Sequence, residues 1–124
     1  MTGKGTILLV EDEALIAAVT AETLREFGFK VEEAATVEAA LAFAKGQAEN
    51  ITAAIVDMNL PDGKGNELAK KLRALKPDLP IVIATGTGDK TLAGELEKGG
   101  PLALLSKPYD SNALRKSLAT VGLE

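Results

Sequence analysis

AAIVDMNLPDGKG, Ala53 to Gly65, is the stretch whose reading decides the fold. Ala53 to Val56 is a continuous apolar run of strand length, as a sheet buried on both faces requires, and it ends at Asp57. Asn59 to Gly65 reads as a loop from its Pro and Gly content. Asn66 to Leu75 follows as a helix closed off by Pro77. A strand ending on an acid, a loop and a helix make one β–α unit.

The same unit repeats on both sides. Thr6 to Val10 (TILLV) is an apolar run ending at Glu11-Asp12-Glu13, and Ala14 to Phe27 shows helical spacing through Leu15, Val19 and Leu24 before the stop at Gly28. Lys30 to Ala35 is a half-polar strand, and Val37 to Ala48 is an Ala-rich helix with Thr36 as its N-cap. Ile81 to Ala84 is a strand, Thr85 to Asp89 a loop, and Lys90 to Lys98 a short helix weakened by Gly94. Leu102 to Leu105 is the last strand. Asp110 to Val121 closes the chain as a helix with Leu114, Leu118 and Val121 on one face. Strict alternation predicts an α/β fold, a five-stranded parallel sheet doubly wound by helices on both faces. At 124 residues with no linker or repeat, one domain over 1–124 is expected.

Composition narrows the chemistry. The chain has no Cys and no His, which removes disulfides, thiolate and imidazole metal sites, imidazole general bases and Ser-His triads. What remains is carboxylates, hydroxyls, Lys and backbone groups. A net charge of −4 without a basic run argues against nucleic acid as a partner. No stretch resembles a signal peptide or membrane span, so a cytoplasmic protein without a membrane partner is expected.

In an open α/β sheet the functional crevice lies beyond the carboxyl ends of the strands. Four such ends carry reactive types: Glu11 and Asp12 after strand one, Asp57 and Asn59 after strand three, Thr85 and Gly86 after strand four, and Lys107 after strand five. Taken singly each has a plain structural role: acids cap helices, Thr ends strands, and a Lys before Pro is usually solvated. Taken together they place three carboxylates, a hydroxyl and an ammonium on one edge. Clustered carboxylates repel unless a cation sits among them, and oxygen ligands of this kind suit Mg²⁺, which can also hold a phosphate oxygen.

That order resembles the response-regulator receiver family. Glu11-Asp12 stands at the acidic pair and Asp57 at the phosphoacceptor. Pro61 and Gly65 follow at the D-x-x-x-P-x-x-x-G spacing, Thr85 matches the switch hydroxyl, and Lys107-Pro108-Tyr109 matches the lysine–proline–aromatic motif. The resemblance covers the whole chain and implies a flavodoxin-like (CheY-like) strand order 2-1-3-4-5. It implies a regulator in a Mg²⁺-dependent phosphorelay, expected to stand alone, with a diffusible shuttle, a phosphate sink and a piece of a longer protein all left open by the sequence. A histidine kinase or histidine phosphotransfer protein donates the phosphoryl group to Asp57, and a downstream protein reads the result.

In that scheme Asp12, Asp57 and the backbone carbonyl of Asn59 hold Mg²⁺, with Glu11 acting through a water. Lys107 pairs with a phosphoryl oxygen, Gly86 leaves room for the group, and Thr85 hydrogen-bonds to it afterwards. The chain would catalyse only its own phosphorylation and dephosphorylation. The Lys107–Pro108 bond is expected to be cis. Where the family usually has an aromatic three residues before the lysine, this chain has Leu104, so the switch region of Thr85, Leu104 and Tyr109 departs from the usual pattern. The expected switch is instead an ordering of the Lys90 to Lys98 helix. Ala84-Thr85-Gly86 is similar to a Phe-Ala-Thr-Gly signature of single-domain regulators in alphaproteobacteria, with Ile83 in place of the Phe.

Three rival readings fit these residues less well. A flavin module needs a hydroxyl- and Gly-rich phosphate loop after strand one, where this chain has Glu-Asp-Glu. An Asp-nucleophile phosphohydrolase generally carries its nucleophile after the first strand. A pseudo-receiver would only bind partners, and the intact Asp57, Thr85 and Lys107 argue against it.

Overall fold

The computed structural model describes residues 5–86 and 99–123. The expected helix Lys90 to Lys98, and its ordering, lie outside the described residues. Five strands form one parallel sheet: β1 Thr6–Val10, β2 Lys30–Ala34, β3 Ile51–Asp57, β4 Ile81–Thr85 and β5 Leu102–Ser106. Their order across the sheet is β2-β1-β3-β4-β5, as the resemblance implied. Helices α1 Ala14–Glu26, α2 Val37–Gln47, α3 Gly65–Leu75 and α4 Ser111–Thr120 cover it.

Alternate residues of the central strands feed two separate cores. Leu8, Val10, Ala54, Val56, Ile81 and Ile83 pack with Ala40 and Ala44 of α2 and Leu68, Ala69 and Leu72 of α3. Ile7, Leu9, Ala53, Ile55 and Val82 pack with Ala21 and Leu24 of α1 and Leu114 and Leu118 of α4. Successive side chains point to opposite faces of a strand, so a run of consecutive apolar residues is what two buried faces demand. β2 lies at the edge, and only Ala34 of its five residues is buried, which accounts for its half-polar sequence.

The helix signals act where the sequence places them. Thr36 accepts a hydrogen bond from the Ala39 amide at 3.0 Å, and Asp110 accepts one from Ala113 at 2.8 Å. Gly28 takes φ +103° just past the end of α1. The α1 stripe needs correction. Leu24 is buried, but Leu15 and Val19 are 78% and 58% exposed, and the buried face is Ala17, Thr20, Ala21 and Leu24. At about 100° per residue, positions 15 and 24 fall on opposite sides of a helix, so Leu15 and Leu24 cannot share one apolar face.

The stretch from Asn59 to Gly65 is also more ordered than a plain loop. Asn59–Leu60 pairs antiparallel with Gly63–Lys64, leaving Pro61 and Asp62 as the turn. Gly65 opens α3 directly against the end of β3. A Cβ there would overlap the Asp57 carbonyl oxygen, and the Gly65 amide donates to the Met58 oxygen at 2.7 Å. No described helix is long and apolar enough to cross a membrane.

Candidate functional site

Strand register brings the predicted residues to one edge. Val10 lies beside Val56, Asp57 beside Ala84, and Thr85 beside Ser106. Glu11, Asp57, Thr85 and Lys107 therefore all sit at carboxyl ends of adjacent strands. Carboxylate oxygens of Glu11, Asp12 and Asp57 lie within 4.8 Å of one another. Glu11 and Asp57 are buried, whereas Asp12 is exposed.

Lys107 bridges the two buried acids. Its Nζ lies 3.1 Å from Glu11 Oε1 and 3.1 Å from Asp57 Oδ2. The Lys107–Pro108 bond is cis, as the resemblance implied, and the Lys107 amide donates to the Thr85 oxygen at 2.9 Å. Backbone amides supply further donors: Glu13 N–H to Glu11 Oε2 at 3.1 Å, and Asn59 N–H to Asp57 Oδ1 at 3.3 Å.

The electrostatics follow from burial and pairing. Burial pushes the Glu11 carboxyl above its ordinary range, and the charge of Asp57 adds to that; the Glu13 amide and Lys107 only partly offset them. Burial alone would lower the Lys107 ammonium, but its hydrogen bonds to Glu11 and Asp57 win and hold it above the usual lysine range. Among the described residues one ammonium, paired to Glu11 and Asp57, stands against a cluster of three carboxyl groups, so negative groups outnumber positive ones.

That excess of carboxylate oxygens fits a hard divalent cation better than an organic anion. Exposed Asp12 and buried Asp57 each offer a carboxylate oxygen, within 4.8 Å of one another. Asn59 follows two residues later with its side-chain oxygen taken by Lys64 Nζ at 2.9 Å.

Thr85 is buried at the end of β4 and Gly86 is exposed beside it. A Cβ built on Gly86 would meet nothing within 4 Å, so space is open there. Leu104 is half-buried against the core shared with α2 and α3. Tyr109 turns the other way, and its hydroxyl hydrogen-bonds to Thr20 of α1 at 2.8 Å. Burial raises the Tyr109 phenol above its usual pKa despite that bond.

Two contacts escaped the sequence. The buried Thr20 is legible only as a polar residue on an apolar helix face. Asp62 accepts hydrogen bonds from Val37 and Glu38 across the chain, a pairing that no local signal announces.

Comparison with known proteins agrees with this geometry. A family model described as "Response regulator receiver domain" matches residues 7–119. The photosynthetic apparatus regulatory protein RegA of Rhodobacter capsulatus is 34% identical over 117 residues, covering 94% of this chain and 62% of RegA. The transcriptional regulatory protein FixJ of Rhizobium meliloti is 31% identical over 91% of this chain and 54% of its own. The chain thus spans little more than half the length of these relatives. Among solved structures, chemotaxis protein CheY4 of Vibrio cholerae superposes with a TM-score of 0.83 at 30% identity, covering 94% of this chain and 98% of that one. A receiver domain protein of Methanospirillum hungatei gives 0.79 at 30%, covering 93% and 90%. Phosphoryl acceptance in two-component signalling is the general function of such domains, and the chain belongs to the response-regulator receiver-domain family.

Proposed function

We propose that this chain is a single-domain response regulator that accepts a phosphoryl group onto Asp57 from a phosphohistidine on a histidine kinase or phosphotransfer protein. The observation that carries this reading is the Lys107 ammonium 3.1 Å from Asp57, beside three clustered carboxylates. Asp57 Oδ attacks phosphorus in line as the donor imidazole leaves. Lys107 shifts its partnership from Asp57 to a phosphoryl oxygen, keeping Glu11 as its second partner. Gly86 gives the group room, and the Thr85 hydroxyl and Tyr109 form the switch region that senses it. Mg²⁺ held by Asp12, Asp57 and the Asn59 backbone carbonyl, with Glu11 nearby, would supply positive charge to the phosphoryl oxygens. The catalysis is positioning and electrostatics, directed only at the chain's own phosphorylation and dephosphorylation.

The output in this reading is contact with a downstream protein in the cytoplasm. The exposed Leu15 and Val19 on α1 support an interaction role for this domain's surface.

The test is transfer from a phosphorylated histidine phosphotransfer protein, followed by hydroxylamine trapping and peptide mass mapping. A hydroxamate at residue 57 is expected. A hydroxamate at another acid, or a phosphoester resistant to hydroxylamine, would overturn the assignment.

A further inference from the structure

The turn that follows Asp57 is fastened through Asp62, between its two paired arms. Asp62 Oδ1 accepts from the Val37 amide at 2.8 Å, and Oδ2 accepts from the Glu38 amide at 3.1 Å. These amides open α2, where the first turn has donors with no partner inside the helix. Thr36 satisfies the next one, from Ala39. The acid therefore completes the cap of a helix 24 to 25 residues earlier in the chain. A carboxylate is also the charge that a helix N-terminus favours.

The turn lies close against α2, since a Cβ on Gly63 would sit 3.2 Å from Val37 Cγ2. Its base is held to the phosphoacceptor by the Asn59 amide on Asp57 Oδ1 and by the Gly65 amide on Met58. Its two arms are tied by Lys64 Nζ on Asn59 Oδ1 and by the short ladder. Asp62 is exposed, so its two hydrogen bonds rather than burial hold it.

We propose that Asp62 is a positioning residue that moors the turn carrying Asn59 to the start of α2 and so fixes the Asn59 backbone for Mg²⁺. The second half of this statement rests on the reading of the site given above. Outer contacts of this kind tune a metal site through its ligands without touching the ion.

Three variants separate mooring from capping. Asp62→Ala removes both hydrogen bonds, Asp62→Asn keeps one acceptor oxygen without the charge, and Thr36→Ala weakens the same helix start while leaving the turn attached. Two readouts are used: amide hydrogen exchange of residues 59–64, and Mg²⁺ affinity by calorimetric titration. Asp62→Ala should speed exchange in the turn and weaken Mg²⁺ binding by about tenfold. Asp62→Asn should recover most of both. Thr36→Ala should lower Tm yet leave both readouts within about twofold, since a helix cap acts locally.

Unchanged exchange in Asp62→Ala, or equal effects from Thr36→Ala, would overturn the mooring. Faster exchange with unchanged Mg²⁺ affinity would overturn its link to the metal. If the unaltered domain bound no Mg²⁺, the metal site itself would fall, and that link with it. The exchange data would still decide the mooring.

Discussion

Replacing Asp57 by Asn should stabilise the metal-free domain. At an effective dielectric of about 20, repulsion between Asp57 and Glu11, with oxygens within 4.8 Å, is worth at least about 3.5 kcal/mol. The exposed Asp12 adds about 1 kcal/mol of repulsion at a water-like dielectric. Attraction to Lys107 at 3.1 Å returns about 5 kcal/mol at the same dielectric of about 20. These pair terms cancel to within about 1 kcal/mol, so burial of the charge decides the sign. Asp57 is only 6% exposed, and burying a carboxylate costs several kcal/mol against about 1–3 for a neutral polar group. Lys107 keeps Glu11 as a partner, so the substitution strands no cation. The expected gain is about 1–3 kcal/mol in EDTA, a rise in Tm of several degrees. Excess Mg²⁺ should narrow or reverse the gap, because in the proposed site only the unaltered protein keeps all its carboxylate ligands. Thermal unfolding followed by circular dichroism, with EDTA and with Mg²⁺, measures both. A variant less stable than the parent in EDTA would refute this electrostatic reasoning.

Other outcomes follow from the same geometry. Asp12→Ala should weaken Mg²⁺ binding strongly while raising the metal-free Tm by a few degrees, because it removes about 1 kcal/mol of repulsion; calorimetric titration and thermal melts check the two halves. Leu24→Ala should cost about 2–5 kcal/mol by denaturant unfolding, whereas Leu15→Ser or Val19→Ser should stay within about 0.5 kcal/mol. Because Glu11 holds its proton more tightly folded than unfolded, metal-free stability should fall as pH rises from the ordinary Glu range through the raised folded value. Lys107 is raised as well, so its contribution is present below the ordinary lysine range and is lost as pH rises through the folded value. Melts across pH should show both limbs, and Lys107→Met should shrink the alkaline one to the part that the raised Tyr109 phenol contributes.

Much of this was legible in the sequence because it depends on local pattern. The continuous apolar runs 6–10, 53–56, 81–84 and 102–105 read as strands of a sheet covered on both faces, and the acids, Thr85 and Lys107 that follow them then fall on one edge. Gly65 was readable as part of a motif, but its cause, the Asp57 carbonyl where a Cβ would go, needed coordinates. The register of α1 was misread because Ala17, Thr20 and Ala21 carry its buried face with small side chains, while the larger Leu15 and Val19 face outward. Hydropathy favours large residues and misses a face built from small ones. The Thr20–Tyr109 and Asp62–Val37 bonds join residues 89 and 25 positions apart, and no local spacing rule reaches across such distances.

The central claim is that Asp57 takes a phosphoryl group with the help of the acidic cluster. Intact mass spectrometry after incubation with acetyl phosphate tests it most directly. The account predicts the added mass of one phosphoryl group with Mg²⁺, none in EDTA, and none in Asp57→Asn with Mg²⁺ present. Equal labelling of Asp57→Asn, or labelling that ignores the removal of Mg²⁺, would contradict it.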